Sequence, residues 1–166
     1  MSETRSASSL TVRPIREDEF AAWRQAAQAG YEESMRVHGG MSAEAARRRA
    51  AADVDALFPD GAPADGQLVY VLEADGERVG DLWLAEREQD GGRILWVYAV
   101  EVDDRYRGRG YGRAAMVFAE EEAERRGLDG VALNVFGGNE VARGLYRSLG
   151  YAEVGVYMQK RLGGES

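Results

Sequence analysis

The sequence contains no cysteine and a single histidine, His38, among its 166 residues. The absence of cysteine excludes disulfides, thiolate nucleophiles and thiolate metal sites. A lone histidine excludes a metal site built from several imidazoles. We therefore expect no metal ion in the protein.

Long hydrophobic runs are also missing. No apolar stretch approaches the roughly 20 residues that a membrane-spanning helix needs. Residues 1–9 are polar and carry Arg5, but no apolar core of a signal peptide follows them. We expect a cytoplasmic protein without a membrane segment, in which residues 1–9 form a disordered tail and residues 10–162 form one domain.

The chain has fewer basic than acidic residues. It contains 21 lysines and arginines and 29 aspartates and glutamates, which gives a net charge of −8. Proteins that coat nucleic acids or anionic membranes need a basic surface, so this balance argues against nucleic acid as a partner. An acidic surface instead attracts small cationic molecules.

The hydrophobic periodicity predicts an α+β fold. The expected strands are Leu10–Ile15, two strands joined at Asp75-Gly76 within residues 67–86, Arg93–Val102, residues 130–136, and one or two strands within residues 151–162. The expected helices are residues 17–34, residues 43–58 capped by Ser42, Tyr111–Arg126 and Glu140–Leu149. This order predicts a single mixed, mostly antiparallel sheet of six to seven strands flanked by about four helices.

The segment "RYRGRGYGR", Arg105–Arg113, concentrates four arginines and three glycines in an otherwise acidic chain. It leads from a predicted central strand into a helix, whose first N–H groups and dipole favour an anion. Glycines let the backbone approach a bulky phosphate, and arginines add charge and paired donors. The pattern predicts a ligand the size of a diphosphate. The alternative is a solvated loop whose arginines pair with Asp103 and Asp104.

A formal match to the dinucleotide-binding pattern G-x-G-x-x-A lies at Gly110, Gly112 and Ala115. That pattern requires a tight turn directly after a parallel strand and an acidic residue about 20 positions later that holds a ribose. Here residues 103–109 intervene, and the next predicted strand carries no acid at its end. A nicotinamide-dependent oxidoreductase is therefore disfavoured.

Arg107-x-x-Gly110-x-Gly112 resembles the acyl-CoA pyrophosphate loop of the GNAT N-acetyltransferase superfamily, Gln/Arg-x-x-Gly-x-Gly/Ala between a central strand and a long helix. A later stretch, "LNVFGGNEVARGLYRSLGYAEV", resembles the superfamily segment in which an Asn, a Tyr seven residues on and a Gly-Phe/Tyr pair recur. The two motifs occur in the expected order, and the resemblance spans residues 67–162.

The resemblance implies an enzyme that transfers an acetyl group from acetyl-CoA to a primary amine of a small molecule or peptide, directly within a ternary complex. It implies that the central strand splays from its neighbour and pairs with pantetheine, that the Val102 N–H meets the thioester oxygen, and that the Tyr146 hydroxyl protonates the departing sulfur. The implied cofactor-binding residues are Val100, Glu101, Val102, Arg107, Gly108, Arg109, Gly110, Tyr111, Gly112, Arg113, Asn139 and Tyr146. For Tyr146 and Asn139 the alternatives are aromatic packing and a helix N-cap.

The residue that deprotonates the amine is less clear from the sequence. Some superfamily members place a Glu five residues before the cofactor-binding Asn, where this chain has Asn134. Glu101 is the nearest alternative, since a carboxylate within an apolar central strand is costly unless it is paired or functional. A pairing partner for Arg107, or a water chain in place of a single base, stays open.

The acceptor pocket is expected between the first helices and the strand meander, with Tyr31, Trp83, Trp96, Tyr98 and Asn134 as candidate lining residues. For the aromatic residues, core packing is the competing interpretation. The superfamily resemblance also suggests a homodimer that pairs C-terminal strands. The alternative function is a non-catalytic module that binds or senses acyl-CoA, which the amide at Asn134 keeps open.

Overall fold

The computed structural model describes residues 10–62 and 64–163 of the chain. In chain order its elements are β1 (Leu10–Pro14), α1 (Glu17–Val37), α2 (Ala43–Leu57), β2 (Gln67–Ala74), β3 (Glu77–Gln89), β4 (Gly92–Val102), a 3-10 turn (Asp104–Tyr106), α3 (Tyr111–Arg125), β5 (Gly130–Leu133) and α4 (Glu140–Ser148). The prediction for residues 1–9 lies outside the described part of the chain.

The strands form one sheet in the order β1-β2-β3-β4-β5. All neighbours run antiparallel except β4 and β5, which are parallel. Both hairpins turn through an Asp-Gly pair with positive φ at each residue, at Asp75-Gly76 and at Asp90-Gly91, as the two-residue turns between twisted strands require. The predicted mixed, mostly antiparallel α+β fold is confirmed.

Helices cover both faces of the sheet. On one face α3 buries Ala115, Met116 and Ala119 against residues such as Leu82 and Leu95. On the other face α1 and α2 bring together an aromatic cluster of Phe20, Trp23, Phe58 and Trp83. The sheet is therefore packed against helices on both faces.

The sheet has five strands rather than six to seven, because the predicted strands within residues 151–162 do not form. Residues 152–163, here called the C-terminal arm, carry no strand assignment. Their large apolar side chains are exposed: Val154, Val156, Tyr157, Met158 and Leu162. The sequence of the arm has strand character, but a strand needs a neighbour for its backbone groups, and none pairs with it in the described chain.

No helix in the described ranges has both the length and the apolar character needed to cross a membrane.

Candidate active site

A cleft opens in the sheet where β4 and β5 part. The two strands pair only from Ile94 to Val97. At the next residue β4 contains a bulge, because Trp83 pairs with Ala99 while Leu84 pairs with Val97, so that Tyr98 is the extra residue. A bulge bends its strand and increases the local twist. The last residues of β4 therefore continue beside β3 alone and leave their other edge open.

The alternation of backbone groups decides which residues face this cleft. The N–H of Asp103 donates to the carbonyl oxygen of Val79 at 2.8 Å, so it faces β3. The preceding carbonyl, that of Val102, faces the other way and accepts a 3.1 Å hydrogen bond from Nε of Arg107. Residues of an antiparallel strand alternate in this respect. Val100 and Val102 consequently direct their backbone groups into the cleft, whereas those of Glu101 point to β3.

Residues 108–113, here called the donor turn, follow β4 and present a series of backbone N–H donors. Gly108 and Gly110 adopt φ angles of 77° and 84°, and α3 begins at Tyr111. Within the described ranges, the N–H groups of residues 108–113 make no hydrogen bond to the protein. Six consecutive amides without a protein acceptor, three of them in the first turn of a helix, suit an anion with several oxygens. This geometry fits the pyrophosphate of coenzyme A.

Three arginines of the turn contact neighbouring residues, and Arg113 reaches α4. Arg107 forms a 3.0 Å ion pair with Asp104, and Arg113 donates to Oγ of Ser148 at 2.6 Å. Arg105 and Arg109 lie over the ring of Tyr106. The alternative pairing with acidic neighbours is thus present for Arg107, but the backbone amides of the turn have no partner among the residues that the structure describes.

Glu101 lies at the β4 side of the cleft. The residue has an exposed surface, yet its carboxyl group is close to α1, since Oε1 would lie 3.7 Å from a Cβ placed on Gly30. Removal from water raises the pKa of the Glu101 carboxyl, and the charge of Asp81 raises it further, while Arg107 opposes the shift. Glu101 is therefore a carboxylate with increased affinity for a proton.

Two further predicted residues lie at the N-cap of α4 and within the helix. Asn139 caps the helix, its Oδ1 accepting a 3.2 Å hydrogen bond from the N–H of Ala142. Tyr146 is half-buried and packs edge-on against Tyr151 at 5.9 Å between ring centres. Burial raises the pKa of the Tyr146 phenol, and the charge of Glu101 raises it further. Glu101 on β4 and Tyr146 on α4 are thus two titratable groups whose pKa values are both raised above the ordinary values.

A sequence model of the Acetyltransferase (GNAT) family matches residues 40–151. The chain belongs to the GNAT acetyltransferase family. The match includes the cleft, the donor turn and all of α4. Family membership makes the protein an acyltransferase that uses acetyl-CoA as its co-substrate.

Relatives of similar length support the assignment. The uncharacterized N-acetyltransferase YdgE of Bacillus subtilis is 27% identical over 154 residues, which cover 92% of this chain and 98% of YdgE. The crystal structure of the acetyltransferase YycN of Bacillus subtilis aligns with a TM-score of 0.84 and 25% identity over 92% of this chain and 98% of that chain. The aminoglycoside N-acetyltransferase AAC(6')-Iy in complex with CoA shares the fold, with a TM-score of 0.61 and 17% identity over 97% of this chain and 99% of that chain.

The candidate acceptor residues of this GNAT protein are dispersed. Trp83 is only 6% exposed, stacks on Tyr98 with 4.5 Å between ring centres and donates from Nε1 to Gln67. Tyr31 donates to Asp53. Trp96 lies under the guanidinium of Arg87 and opposite Ala132, in the part of β4 that is still paired with β5. The burial and stacking of Trp83 fit the core-packing interpretation of this residue.

Tyr98 and Asn134 are the candidates that lie next to the cleft. Tyr98 is the bulge residue at which β4 leaves β5, and Asn134 is the exposed residue that follows β5. Asp81, which the sequence analysis did not single out, also belongs to the site because it pairs with Glu101 across the two strands. The sequence feature that could have identified Asp81 is its position as a lone carboxylate inside the apolar run "VGDLWLA".

Proposed function

We propose that this protein transfers an acetyl group from acetyl-CoA to a primary amine of a small molecule or peptide, by direct transfer in a ternary complex. The observation that carries the proposal is the open edge of β4 beyond its pairing with β5, followed by the turn at residues 108–113 whose N–H groups make no hydrogen bond to the protein within the described ranges. The chain has no cysteine to carry an acyl group covalently.

The cofactor supplies an activated acetyl thioester. The amides of residues 108–113 bind its two linked phosphates, and the arginines of the turn add positive charge around them. Val100 and Val102, whose backbone groups face the cleft, pair with the pantetheine arm as a neighbouring strand would. The Val102 N–H donates to the thioester oxygen as negative charge builds up there. The side-chain amide nitrogen of Asn139 remains available to the arm, since Oδ1 caps α4.

Two proton transfers complete the reaction. An amine arrives as an ammonium ion near pH 7, because its pKa lies near that of lysine at about 10.4. Glu101 accepts a proton from it and leaves a nitrogen lone pair that can attack the acetyl carbon. Tyr146, kept protonated by its surroundings, supplies a proton to the sulfur as the carbon–sulfur bond breaks. The second proton of the nitrogen leaves to solvent.

The charges around the cleft favour a cationic acceptor. Burial raises the pKa of Glu101, and the charges of Asp81, of Glu33 in α1 and of Asp103 raise it further. An ammonium ion approaching Glu101 therefore enters a region of negative potential, which raises its local concentration.

We also propose that the protein is a homodimer in which the C-terminal arm of one copy pairs with the outer edge of β5 of the other. β5 is the last strand of the sheet, and its outer edge has no strand partner within the described ranges. Each copy carries both an unpaired sheet edge and an unpaired apolar segment, so a twofold arrangement satisfies both at once. Val154, 99% exposed, and Met158, 85% exposed, are then covered.

The decisive test of the cofactor site compares two glycines. Gly108 and Gly91 have φ angles of 77° and 80°, and neither has an atom within 4 Å of an added Cβ. Alanine at either site introduces the same backbone strain, but Gly91 lies in a distant hairpin. We expect acetyl-CoA to raise the melting temperature of wild type and Gly91→Ala and to have little effect on Gly108→Ala. Equal responses in the two variants would refute the phosphate site.

Catalysis is tested by following thiol release from acetyl-CoA with a panel of amines that includes spermidine, an aminoglycoside and a peptide with a free N-terminus. We expect release with at least one amine and a loss of about 10²- to 10⁴-fold in Glu101→Gln, the usual contribution of general base catalysis. Binding of acetyl-CoA without release for any amine would support the sensing module instead.

A further inference from the structure

Asp81 of β3 lies directly opposite Glu101 of β4. The two residues are paired in the antiparallel register, which places both side chains on the same face of the sheet with Cβ atoms about 5 Å apart. Like charges at such positions are destabilising. Asp81 is nevertheless only 9% exposed, so the fold retains two carboxylates side by side where one is removed from water.

The surroundings of Asp81 compensate its charge only in part. Arg78 approaches its Oδ2 at 3.2 Å, but the arginine side chain is 39% exposed, so water screens the attraction. The indole of Trp23 stabilises the charged form, although its buried Nε1 makes no hydrogen bond of normal geometry within the described residues. Burial outweighs both and raises the pKa of Asp81.

The close approach of β3 to β4 is possible because Gly80 has no side chain. A Cβ at this position would collide with the carbonyl oxygen of Glu101 and lie 3.1 Å from Cα of Val102. The glycine therefore allows β4 to come near enough for the Asp81 and Glu101 side chains to face each other in a fixed geometry, held by the backbone of two paired strands.

We propose that Asp81 is a positioning residue whose carboxylate, held opposite Glu101 by the register of β3 and β4, keeps the Glu101 carboxylate ready to accept the proton of the acceptor's ammonium group. This inference rests on the role of Glu101 in the proposed function. In the step concerned, an N–H bond of the ammonium ion breaks, its electron pair stays on nitrogen and the proton binds a Glu101 oxygen. A more basic carboxylate takes up that proton more readily.

The charged and titratable groups that face Glu101 come from four directions. Asp81 faces it from β3, Glu33 from α1, and Asp103 and Arg107 from the segment after β4. On α4, the pKa of Tyr146 is raised by burial and further by the charge of Glu101. Among these, Asp81 has the largest effect of any neighbouring charge on the pKa of Glu101, and Arg107 is the one that opposes it. Arg107 is also engaged by Asp104 and by the Val102 carbonyl.

The test is a direct titration of the Glu101 carboxyl by NMR in full-length protein labelled with ¹³C at the glutamate side-chain carboxyl carbon. The Glu101 signal is assigned by its loss in Glu101→Gln, so no acceptor amine is needed. We expect Asp81→Asn to lower the midpoint of that titration by about one pH unit, the effect of one charge at about 5 Å in an effective dielectric between those of protein and water. Glu33→Gln is expected to move it less.

The control is Asp55→Asn, which removes a carboxylate that is 67% exposed and paired with Arg24 on the surface of α2. A titration midpoint that moves no further in Asp81→Asn than in Asp55→Asn would overturn the inference, and it would leave the assignment of Glu101 intact. Where an acceptor is known, the acidic limb of the kcat/KM profile should shift in the same direction. Full activity in Glu101→Gln would instead remove Glu101 from the proposed function.

Discussion

Gly80 of β3 and Glu101 of β4 are in such close contact that no side chain fits at Gly80 without moving the end of β4. We therefore expect Gly80→Ala to destabilise the protein by about 1–3 kcal/mol, the usual cost of overpacking a tightly packed site. Because β4 carries Val100 and Val102 into the cleft, the same change should weaken the binding of acetyl-CoA. Chemical denaturation and a binding titration measure the two effects.

Gly130→Ala is the matched control for that substitution. Gly130 also lies in a strand, and an added Cβ meets no atom within 4 Å. Alanine there should be neutral or slightly stabilising, because it reduces the freedom of the unfolded chain. Equal losses of stability at the two glycines would show that β3 and β4 tolerate a wider separation than their register indicates.

Tyr146→Phe should reduce kcat by about 10²-fold or more, since it removes the phenol that protonates the sulfur. Tyr151→Phe is the control, because this ring packs on Tyr146 while its buried hydroxyl has no hydrogen-bond partner within the described residues. Removal of an unpartnered hydroxyl is expected to leave stability and kcat almost unchanged. Similar losses of kcat in both variants would indicate that Tyr146 acts through packing.

Burial of Asp81 makes the free energy of unfolding depend on pH. Its pKa in the folded protein is raised, so the unfolded chain releases this proton at a lower pH than the folded chain does. The contribution of Asp81 to the free energy of unfolding is therefore largest at low pH and falls as pH rises above about 4, the ordinary value for aspartate. Asp81→Asn removes this penalty. Urea denaturation should show the variant gaining stability relative to wild type as pH rises from 4 to 7.

The opposite trend, a variant that loses stability relative to wild type over that range, would mean that Arg78 and Trp23 hold the charged form of Asp81 more strongly than burial disfavours it. Asp55→Asn again serves as the control, because its exposed ion pair with Arg24 should contribute little.

Local patterns in the sequence were sufficient to predict most elements and the donor turn. Asp75-Gly76 specified its hairpin, and Gly110 specified the start of α3, because positive φ angles are a property of individual residues. The pairing of Asp81 with Glu101 was not predictable in this way, because it depends on the register of two strands and on the bulge at Tyr98. Both arise from packing between residues distant in sequence.

The structure of the C-terminal arm was also not predictable from its local sequence. The segment "YAEVGVYMQKRL" predicted one or two strands, but strand formation requires a partner edge, which the sequence of a single chain does not reveal. The arm is attached to its own chain mainly by charged contacts, with Arg143 and Arg147 binding Glu153 at 2.6 and 3.2 Å and Arg161 binding the carbonyl of Gly40 at 3.0 Å. Its apolar residues are exposed and are available to pair with a second copy in the proposed dimer.

Val156→Asp should therefore convert the proposed dimer into a monomer, because it places a charge within the strand that pairs with the β5 edge of the second copy. Val141→Asp is the matched control, since Val141 on α4 is even more exposed, 88% against 72%, and lies outside the arm. Light scattering across a dilution series measures the mass of each variant. We expect wild type and Val141→Asp to remain dimeric where Val156→Asp is monomeric. A wild-type protein that is monomeric at all concentrations would rule out the exchange, and the exposed apolar residues of the arm would then require a different partner.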